Sequence, residues 1–357
     1  MSGSEWFESQ TGGLNRYFGS LFESLTNRGD VDVDATAFGE SPRSNSASHS
    51  WGPVGGGTLS RFVAGRRLLN PRNVDIVDRH FCLYGPPLRR YKGSPRTVVH
   101  FQGPWASESQ MSGASSLSVM AKRAFERLRY RQADHFIVLS ESFKSILVSQ
   151  YGAPWEAVSV IPPGVDLERF TPSPSVARDR PIVLCVRRLE RRMGIDVLIE
   201  AWRDVVIRYP DAELHIVGTG TFETELHALA NASPHRDSIT FRGALTDSEL
   251  LDAYARASFT VVPSLSLEGF GLIALESLAV GRPTIVTDCG GLPDAVIGLD
   301  PTLIVGAGNI DALSDRIIRG LDGELPSPES SRAHAERFAW DQVADHHVRL
   351  YERLSSG

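Results

Sequence analysis

The 357-residue sequence has few cysteines, no long apolar run and no excess of basic residues, and each absence excludes a class of protein. Its three cysteines, Cys82, Cys185 and Cys289, are far apart and odd in number, which argues against a disulfide framework or a zinc site and predicts a reducing compartment. No run reaches the roughly 18 apolar residues that a membrane-spanning helix needs. The formal net charge of −6 gives no indication of a nucleic-acid partner.

The opening of the chain, "MSGSEWFESQ", lacks the basic and apolar regions of a signal peptide. With no membrane span predicted either, we expect a cytoplasmic protein that at most touches the inner face of a membrane. Chains of this length usually form two domains of roughly 150–200 residues each.

Short runs rich in Val, Ile and Leu alternate with helical patterns along most of the chain. Because the runs are almost continuously apolar, they are typical of parallel strands covered on both faces. Between them lie stretches such as 194–210, whose apolar residues recur at helical spacing as far as Pro210. The alternation predicts a doubly wound α/β fold. The predicted strands are residues 97–101, 135–140, 158–164, 181–186, 212–218, 258–264 and 283–288.

Residues 171–181, rich in proline, serine and charge, interrupt this alternation and mark the predicted domain boundary. They divide the chain into Rossmann-like halves at 1–172 and 173–335. Residues 336–357 follow, and their helix could pack on either half. The Ser- and Gly-rich segment 41–60 is interpreted as a mobile loop.

The first half begins unusually for a doubly wound domain, which normally opens with a strand and a glycine-rich turn. Here the turn "TGGLNRY" starts at Thr11, and the preceding "SEWFESQ" is a poor buried strand. Either the strand lies upstream of this sequence or the first domain lacks its first strand.

The stretch "SLEGFGLIALE", residues 266–276, places two glutamates around a Gly-Phe-Gly turn that follows a predicted strand. Glycines at the carboxyl end of a strand let backbone N–H groups approach a phosphate, which the start of the next helix also favours. Glu268 and Glu276 would repel a phosphate but accept hydrogen bonds from hydroxyl groups. The pattern favours a diphosphate between two polyols, as in a nucleotide sugar. The residues alone leave open that Glu276 is a charge on a helix face and Glu268 a helix cap.

Residues 262–296 closely resemble the donor-binding region of glycosyltransferase family 4, a family of retaining enzymes with the GT-B fold. The glutamate pair with seven residues between its members is the most specific part of that pattern. The similarity continues in "CVRRLERRMGIDVLIEAW", "LHIVGTG", "FRGALTDSELLDAYARAS" and "VSVIPPGVDLERF", and it reaches back to "TGGLNRY". It implies two Rossmann-like domains facing a cleft, the first binding the acceptor and the second the nucleotide-sugar donor. It also implies retention of configuration without a metal or other cofactor.

By this resemblance, Glu268 contacts hydroxyls of the transferred sugar and Glu276 contacts the ribose hydroxyls. Arg188 neutralises the donor diphosphate, a task that suits a guanidinium because its fork binds two phosphate oxygens at once. Loops near residues 242–244 would select the base. The other donor-binding residues implied are Gly12, Gly13, Gly218, Gly243, Gly269, Phe270, Gly271 and Leu272.

Two positions depart from the family pattern. Met193 replaces the usual lysine, and either Arg191 or Arg192 could supply the missing charge, with Arg192 favoured. Pro163 replaces the asparagine that usually precedes the glycine at Gly164, which removes a polar side chain there.

Three side chains of the first half are candidates for the reacting sugar and the acceptor. His100 ends a predicted strand and resembles the family residue close to the reacting sugar, so it is assigned a catalytic role. His80 ends another apolar run, and Trp105 offers a stacking face for a sugar or ring; both are assigned to the acceptor. The alternative for each is structural, since a lone histidine is more often a hydrogen-bonded group of the core.

Residues 120–135 are predicted to form a basic helix. Basic amphipathic helices can rest on anionic lipid, but most such charge runs are solvated faces. Membrane contact is therefore the less favoured interpretation. The basic residues are Lys122, Arg123, Arg127, Arg129 and Arg131.

Other function classes are weaker. A metal-dependent glycosyltransferase would use Asp-x-Asp, which occurs in "DVDVD" at 30–34, but the alternating valines predict an exposed edge strand there. A dehydrogenase would need Gly-x-Gly-x-x-Gly, and "VGTGTFETEL" lacks the third glycine. A protein that senses a nucleotide sugar without turnover remains the alternative, because Met193 departs from the pattern. The donor is expected to be a UDP- or GDP-sugar; the acceptor, whether carbohydrate, lipid-linked or small molecule, and the oligomeric state stay open.

Overall fold

The computed structural model describes residues 1–7, 9, 12–42, 46–65, 74–81, 84–85, 94–106, 115–172 and 180–356. The chain forms two compact units, Met1–Gly164 together with Trp340–Gly357, and Val165–Ala339. Val165 belongs to the second unit because its backbone N–H donates to the carbonyl oxygen of Phe338 at 2.8 Å. The division lies before the predicted boundary segment, of which residues 173–179 fall outside the described residues.

Each unit contains one sheet in which all paired strands are parallel. The first sheet has the order β3-β2-β1-β4-β5-β6-β7 and the second β10-β9-β8-β11-β12-β13. The strands are β1 Ser2–Glu5, β2 Ala35–Phe38, β3 Ser48–Ser50, β4 Ile76–Arg79, β5 Arg96–Phe101, β6 His135–Val138, β7 Val158–Val160, β8 Ile182–Val186, β9 Glu213–Val217, β10 Ile239–Gly243, β11 Phe259–Val262, β12 Thr284–Thr287 and β13 Ile304–Val305.

Among the described residues, helices cross over between most successive strands, as is typical of a doubly wound fold. The helices of the described residues are α1 Gly13–Thr26, α2 Thr58–Ala64, α3 Ser116–Tyr130, α4 Glu141–Tyr151, α5 Ile195–Arg208, α6 Glu223–Ala232, α7 Asp247–Arg256, α8 Leu272–Ala279, α9 Leu292–Val296, α10 Ile310–Leu321, α11 Pro328–Glu336 and α12 Trp340–Ser355. The last of these, α12, belongs to the first unit, where its Val343 and Ala344 join the cluster formed by Tyr17 and Leu21 of α1.

The predicted doubly wound architecture is confirmed, and each of the seven predicted strands overlaps an observed one. The helix predicted at 194–210 is α5, whose buried residues Leu198, Trp202 and Val205 follow the expected spacing along one face.

The expectation that the first strand of the first domain is missing is wrong. Strand β1 lies between β2 and β4, and all four of its residues are buried. Its residues are small or polar, so the hydropathy pattern does not indicate a buried strand. A Cβ at Gly3 would lie 2.6 Å from the Phe18 ring, so only glycine lets α1 pack this closely, and the Ser2 hydroxyl donates to the Asp78 carbonyl oxygen.

Two further expectations for the first unit are corrected. Segment 41–60, interpreted as a mobile loop, contributes β3, which pairs with β2, and the start of α2. The acids and valines of 30–34 alternate outward and inward, but they precede β2 and form no edge strand. Asp30 there accepts hydrogen bonds from Arg28.

Both sheets have a point where the strand order reverses, and in such folds the carboxyl ends of the strands flanking that point bind ligands. In the first sheet these strands are β1 and β4, and in the second they are β8 and β11. The sequence-predicted site residues can therefore be located relative to two sheet edges.

Candidate functional site

Strands β8 and β11 of the second unit are neighbours, and the segments that leave their carboxyl ends carry the predicted donor site. Arg187 and Arg188 follow β8 directly, and the loop 263–271 follows β11. The turn Arg191–Met193 then leads into α5, and Gly271 is the N-cap of α8.

Two glycines bring backbone segments into close contact at this edge. Gly194 has φ +67°, and a Cβ there would lie 2.0 Å from the carbonyl oxygen of Pro263. Gly218 has φ +131°, and its Cβ would lie 1.9 Å from the carbonyl oxygen of Arg187. The observed function of Gly218 is thus to let two loops touch, and its contact with a donor stays a prediction. Gly243, with φ +62°, has open space around it.

Glu268 is fixed within its loop by both side chain and backbone. Its carboxylate accepts hydrogen bonds from Arg187 Nη2 and from the Ser264 hydroxyl, the latter at 3.3 Å. Its carbonyl oxygen accepts from the Gly291 N–H at 2.9 Å. Among the described residues, the preceding Leu267 is the one non-glycine with positive φ, at +53°. A backbone held in this region usually marks a functional constraint.

The four arginines of the predicted diphosphate region have different surroundings. Arg188 is exposed, whereas Arg187 is 8 % exposed and contacts Glu268. Arg192 donates through Nη1 to the carbonyl oxygens of Leu267 and Ser266, at 3.1 and 3.4 Å. The guanidinium of Arg191 lies over the Phe222 ring, 4.1 Å from its centroid.

Sequence reasoning missed Arg187, although an arginine directly after a buried strand signals an end that faces a site. It also assigned the charge beside Met193 to Arg192 or Arg191. In the structure the guanidinium that contacts Met193 belongs to Arg187, whose Nη2 lies 2.9 Å from the methionine sulfur.

Helix α8 carries the second glutamate of the pair. Glu276 is 3 % exposed and accepts a hydrogen bond from the Tyr254 hydroxyl at 3.0 Å. It is therefore neither a solvated helix-face charge nor on the same loop as Glu268. Its predicted contact with ribose is not tested by this geometry.

The Gly-Phe-Gly turn offers backbone groups and no side chain to a ligand. Phe270 is 2 % exposed, and its ring packs 5.6 Å from that of Phe338. Gly271 has φ +87°, and a Cβ there would lie 2.4 Å from Leu292. The first N–H groups of a helix such as α8 have no acceptor within the helix, so Gly269, Leu272 and their neighbours lie where an anion is favoured.

In the first unit, His80 and His100 belong to a buried network around Asp78. Their rings stack at 3.8 Å, and each Nε2 lies 3.1 Å from a different oxygen of that carboxylate. Tyr351 of α12 donates to Asp78 at 2.8 Å. The side chain of His100 is fully buried, so its predicted contact with the reacting sugar stays a prediction while its observed contacts are structural.

Burial controls the ionisation of this network. It lowers the pKa of His80, and it lowers that of His100 to about 4, in both cases against the opposing attraction of Asp78. The rings are therefore neutral near neutral pH. His80 Nδ1 lies 3.5 Å from the amide nitrogen of Gln102, which follows β5.

Asp78, His80 and His100 also offer ligand atoms within 4.8 Å of one another, as a metal site would. His80 Nε2 shares a hydrogen bond with Asp78 Oδ2 and the two imidazole rings are stacked, whereas metal ligands converge on a point from separate directions. The expectation that no metal is required stays a prediction.

The remaining first-unit residues are only partly covered by the described structure. Gly12 caps α1 with φ +152° and open space around it, and α1 begins at Gly13. Trp105 is half-buried, with Lys122 Nζ 4.7 Å from its ring centroid, and its backbone N–H donates to the Glu126 carboxylate. Residues 107–114, which follow in the sequence, lie outside the described residues.

The basic helix α3 is not a uniformly solvated charged face. Arg129 is buried and donates to the carbonyl oxygens of Tyr84 and Gly85. The exposed side of the helix also carries large apolar residues, with Leu117, Met120 and Leu128 at 80 %, 68 % and 58 % exposure. Across the described residues, the structure contains no helix long and apolar enough to cross a bilayer.

Comparison with known proteins covers both units. Residues 11–169 match the family described as Glycosyltransferase Family 4, and residues 168–338 match Glycosyl transferases group 1. The chain is 30% identical to the D-inositol 3-phosphate glycosyltransferase of Corynebacterium jeikeium, over 79% of this chain and 73% of that protein. It is 32% identical to a GDP-mannose-dependent alpha-(1-6)-phosphatidylinositol monomannoside mannosyltransferase of Mycolicibacterium smegmatis, over 71% of this chain and 68% of that protein.

Solved structures with this fold include glycosyltransferases of low sequence identity. Sucrose-phosphate synthase from Thermosynechococcus elongatus superposes with a TM-score of 0.79 at 22% identity, covering 99% of this chain and 98% of that chain. Anabaena HepE in complex with UDP superposes with a TM-score of 0.75 at 16% identity and the same coverage. Sequence and fold agree: the chain belongs to the group 1 glycosyl transferases and is a glycosyltransferase of the GT-B fold.

Proposed function

We propose that the enzyme transfers a sugar from a UDP- or GDP-sugar to a hydroxyl acceptor with retention of configuration and without a metal. The observation that carries the proposal is the position of Glu268, a carboxylate in the loop after β11 that contacts Arg187 after β8, at the switch point of the second sheet. The beginning of α8 lies four residues further along the chain, at Leu272. A carboxylate that can accept hydrogen bonds from sugar hydroxyls thus lies next to a helix start that favours an anion.

The two nucleotide possibilities come from the relatives. The Mycolicibacterium protein is described as GDP-mannose-dependent, and the Anabaena structure contains UDP. Both nucleotides carry the same ribose and diphosphate, for which Glu276, Arg188 and the backbone of 269–272 are the proposed partners. Arg188 suits the diphosphate because it is exposed and its planar guanidinium can bind two phosphate oxygens at once.

Retention requires the acceptor oxygen to arrive on the face from which the diphosphate leaves. The bond from the anomeric carbon to the phosphate oxygen breaks, the bond to the acceptor oxygen forms, and the leaving phosphate takes the acceptor proton. The enzyme positions the two substrates and stabilises the negative charge that grows on the leaving group. Both effects are large when the hydrogen-bond donors of the protein are preorganised. Arg188 and the backbone N–H groups at the start of α8 are the groups proposed to stabilise that charge.

The acceptor class has one supporting observation in the first unit. Helix α3 exposes Leu117, Met120 and Leu128 beside the exposed Arg127 and Arg131. Apolar side chains flanked by arginines fit the headgroup region of an anionic lipid surface. This favours a lipid-linked acceptor over a free sugar, and the Mycolicibacterium relative has phosphatidylinositol monomannoside in its description.

Nucleotide release from a panel of UDP-, GDP- and ADP-sugars, in EDTA, tests the proposal with Glu268→Ala beside the wild type. Release from one donor that persists in EDTA and is lost in the variant supports metal-independent transfer and identifies the donor. Anomeric analysis of the product by NMR then tests retention. Binding without release for every donor and acceptor would favour the sensor alternative. Release abolished by EDTA and restored by a divalent cation would overturn the metal-independent mechanism.

A further inference from the structure

Arg187 is the most buried cationic side chain at the donor edge of the second unit, meaning the carboxyl ends of β8 and β11 where the donor site is predicted. It is 8 % exposed and lies immediately after β8. Its Nη2 atom contacts three partners, namely the Glu268 carboxylate, the Ser264 hydroxyl at 2.6 Å and the Met193 sulfur at 2.9 Å. Its Nε is buried with no hydrogen-bond partner among the described residues.

A buried guanidinium is costly unless an opposite charge accompanies it, and Glu268 is that charge. The pairing has a second effect, because it removes the rotational freedom of the glutamate. One carboxylate oxygen, Oε2, accepts from both Arg187 and Ser264, so the orientation of the other oxygen is set. The Ser264 carbonyl oxygen is itself anchored by the Thr287 hydroxyl at 2.6 Å, which ties this arrangement to β12.

Met193 is an uncharged neighbour that the buried guanidinium of Arg187 can tolerate. A thioether is a weak acceptor and carries no charge, so it can lie against a guanidinium at no electrostatic cost. A lysine at 193 would bring a second cation against the same buried nitrogen. The neighbouring Arg192 donates instead to the carbonyl oxygens of Leu267 and Ser266.

We propose that Arg187 is a positioning residue, which holds Glu268 in the orientation that receives the transferred sugar and which requires an uncharged residue at Met193. The inference rests on the proposed function, since it concerns the sugar contact of the same site. It differs from the assignment of Arg188, whose proposed partner is the diphosphate. The two adjacent arginines would therefore act on different parts of one donor.

The test compares Arg187→Met with Arg188→Met by calorimetric binding of the free nucleoside diphosphate and by turnover of the sugar donor that the wild type accepts. For Arg187→Met we expect diphosphate binding to stay within about twofold and turnover to fall at least about 30-fold, as for loss of one partner of a buried charge pair. Arg188→Met should weaken binding of the free nucleoside diphosphate as well as reduce turnover. Because Arg187 acts through Glu268, the double variant R187M/E268Q should be no slower than E268Q alone.

Two results would overturn the inference: free diphosphate binding that weakens as much as turnover, or losses in R187M and E268Q that add. If R187M does not fold, Met193→Lys decides, since a lysine against Arg187 should reduce turnover whereas the uncharged Met193→Leu should not; unchanged turnover in M193K refutes the requirement for an uncharged residue at 193. Failure of the wild type to release nucleotide from any donor would instead refute the proposed function. Calorimetry would then still show whether R187M weakens nucleotide-sugar binding relative to the free diphosphate.

Discussion

His347, on the C-terminal helix α12, lies parallel to His100 of β5, with ring centroids 5.4 Å apart and an interplanar angle of 5°. The Tyr17 hydroxyl lies 3.3 Å from His347 Nε2 and 3.4 Å from His100 Nδ1. His347 Nδ1 lies 2.7 Å from the Val343 carbonyl oxygen, which requires a proton on Nδ1 and leaves Nε2 as an acceptor. The Tyr17 hydroxyl can thus donate to His347 Nε2, which is an acceptor only while the His347 ring is neutral.

The first prediction is that the protein loses stability on mild acidification. Burial lowers the pKa of His100 to about 4 and that of His347 to about 3, and it also lowers that of His80. Below about pH 6.5 the unfolded chain binds protons that the folded chain refuses, so the free energy of unfolding falls as the pH drops towards 4. Each such histidine contributes a slope of up to about 1.4 kcal/mol per pH unit.

Urea unfolding between pH 7.5 and pH 5 measures this slope, and His347→Gln should flatten it. The variant should also be less stable at pH 7.5, by about 1–3 kcal/mol, because the Tyr17 hydroxyl loses a buried partner. The matched control is His227→Gln on α6, where the side chain is 45% exposed. An unchanged slope in His347→Gln would contradict the neutral-ring interpretation.

The second prediction concerns the two glycines that let loops touch at the donor edge. Gly194→Ala and Gly218→Ala would each drive a Cβ into a backbone carbonyl, at 2.0 and 1.9 Å. Backbone cannot move aside as a side-chain end can, so we expect a loss of about 2–4 kcal/mol in unfolding free energy, from overpacking and from positive φ together. Weaker binding of nucleoside diphosphate should accompany it.

Gly323→Ala is the control for those variants. Gly323 has φ +92°, and a Cβ there would have no atom within 4 Å, so alanine adds the backbone cost alone. That cost is about 1–2 kcal/mol. Equal destabilisation of all three variants, in denaturant unfolding, would mean that the close approaches at the donor edge do not matter.

Much of the second unit could be predicted from its sequence, because its central strands are almost continuously apolar and are separated by regular helices. The first unit was harder to predict at its beginning. Strand β1 contains Ser2, Gly3, Ser4 and Glu5, a composition that no hydropathy pattern reports as buried. Its burial depends on partners distant in the chain, such as the Asp78 carbonyl oxygen that accepts from Ser2.

The candidate site, like the fold, could be predicted from the sequence only in part. Glu268 and Glu276 were identified because their spacing and the glycine turn are local features of the sequence. The pairing of Arg187 with Glu268 joins residues at the ends of two strands that are far apart in sequence and adjacent only in the sheet. Likewise, His100 was assigned to a sugar from its place at a strand end, while its partner Asp78 and its neighbour His347 come from β4 and α12.

The third prediction tests whether Glu276 contacts ribose. The wild type should bind a nucleoside diphosphate more tightly than its 2′-deoxy or 3′-deoxy analogue, and Glu276→Gln should lose that discrimination. A hydrogen bond to a charged group contributes roughly 1.5–3 kcal/mol, so the variant should bind the ribonucleotide about 10-fold or more weakly. Calorimetry on both ligands provides the comparison.

Two further variants make the result specific. Tyr254→Phe removes the hydroxyl that donates to Glu276 at 3.0 Å and keeps the carboxylate, so ribose discrimination should persist. Glu225→Gln, at an exposed position of α6, should change nothing. Equal binding of ribo and deoxy ligands by the wild type would leave Glu276 with a structural role only.

The fourth prediction is that the first unit binds anionic vesicles through α3. Leu117, Met120 and Leu128 are exposed on one side of the helix, and Leu59 of α2 is also 76% exposed. Each apolar side chain that enters the headgroup region gains roughly the transfer free energy of its buried surface, and each arginine near the lipid adds about 1 kcal/mol. Co-sedimentation with phosphatidylglycerol vesicles should exceed that with phosphatidylcholine and fall as salt is raised.

The variants separate the apolar and basic contributions to that binding. The triple change L117S/M120S/L128S should abolish sedimentation, whereas Ile207→Ser and Ile297→Ser, at exposed apolar positions of the second unit, should have no effect. Arg127→Gln with Arg131→Gln should reduce the preference for anionic lipid without removing all binding, because the apolar contacts remain. Equal sedimentation of the wild type and the triple variant would refute the lipid surface and, with it, the observation that favours a lipid-linked acceptor.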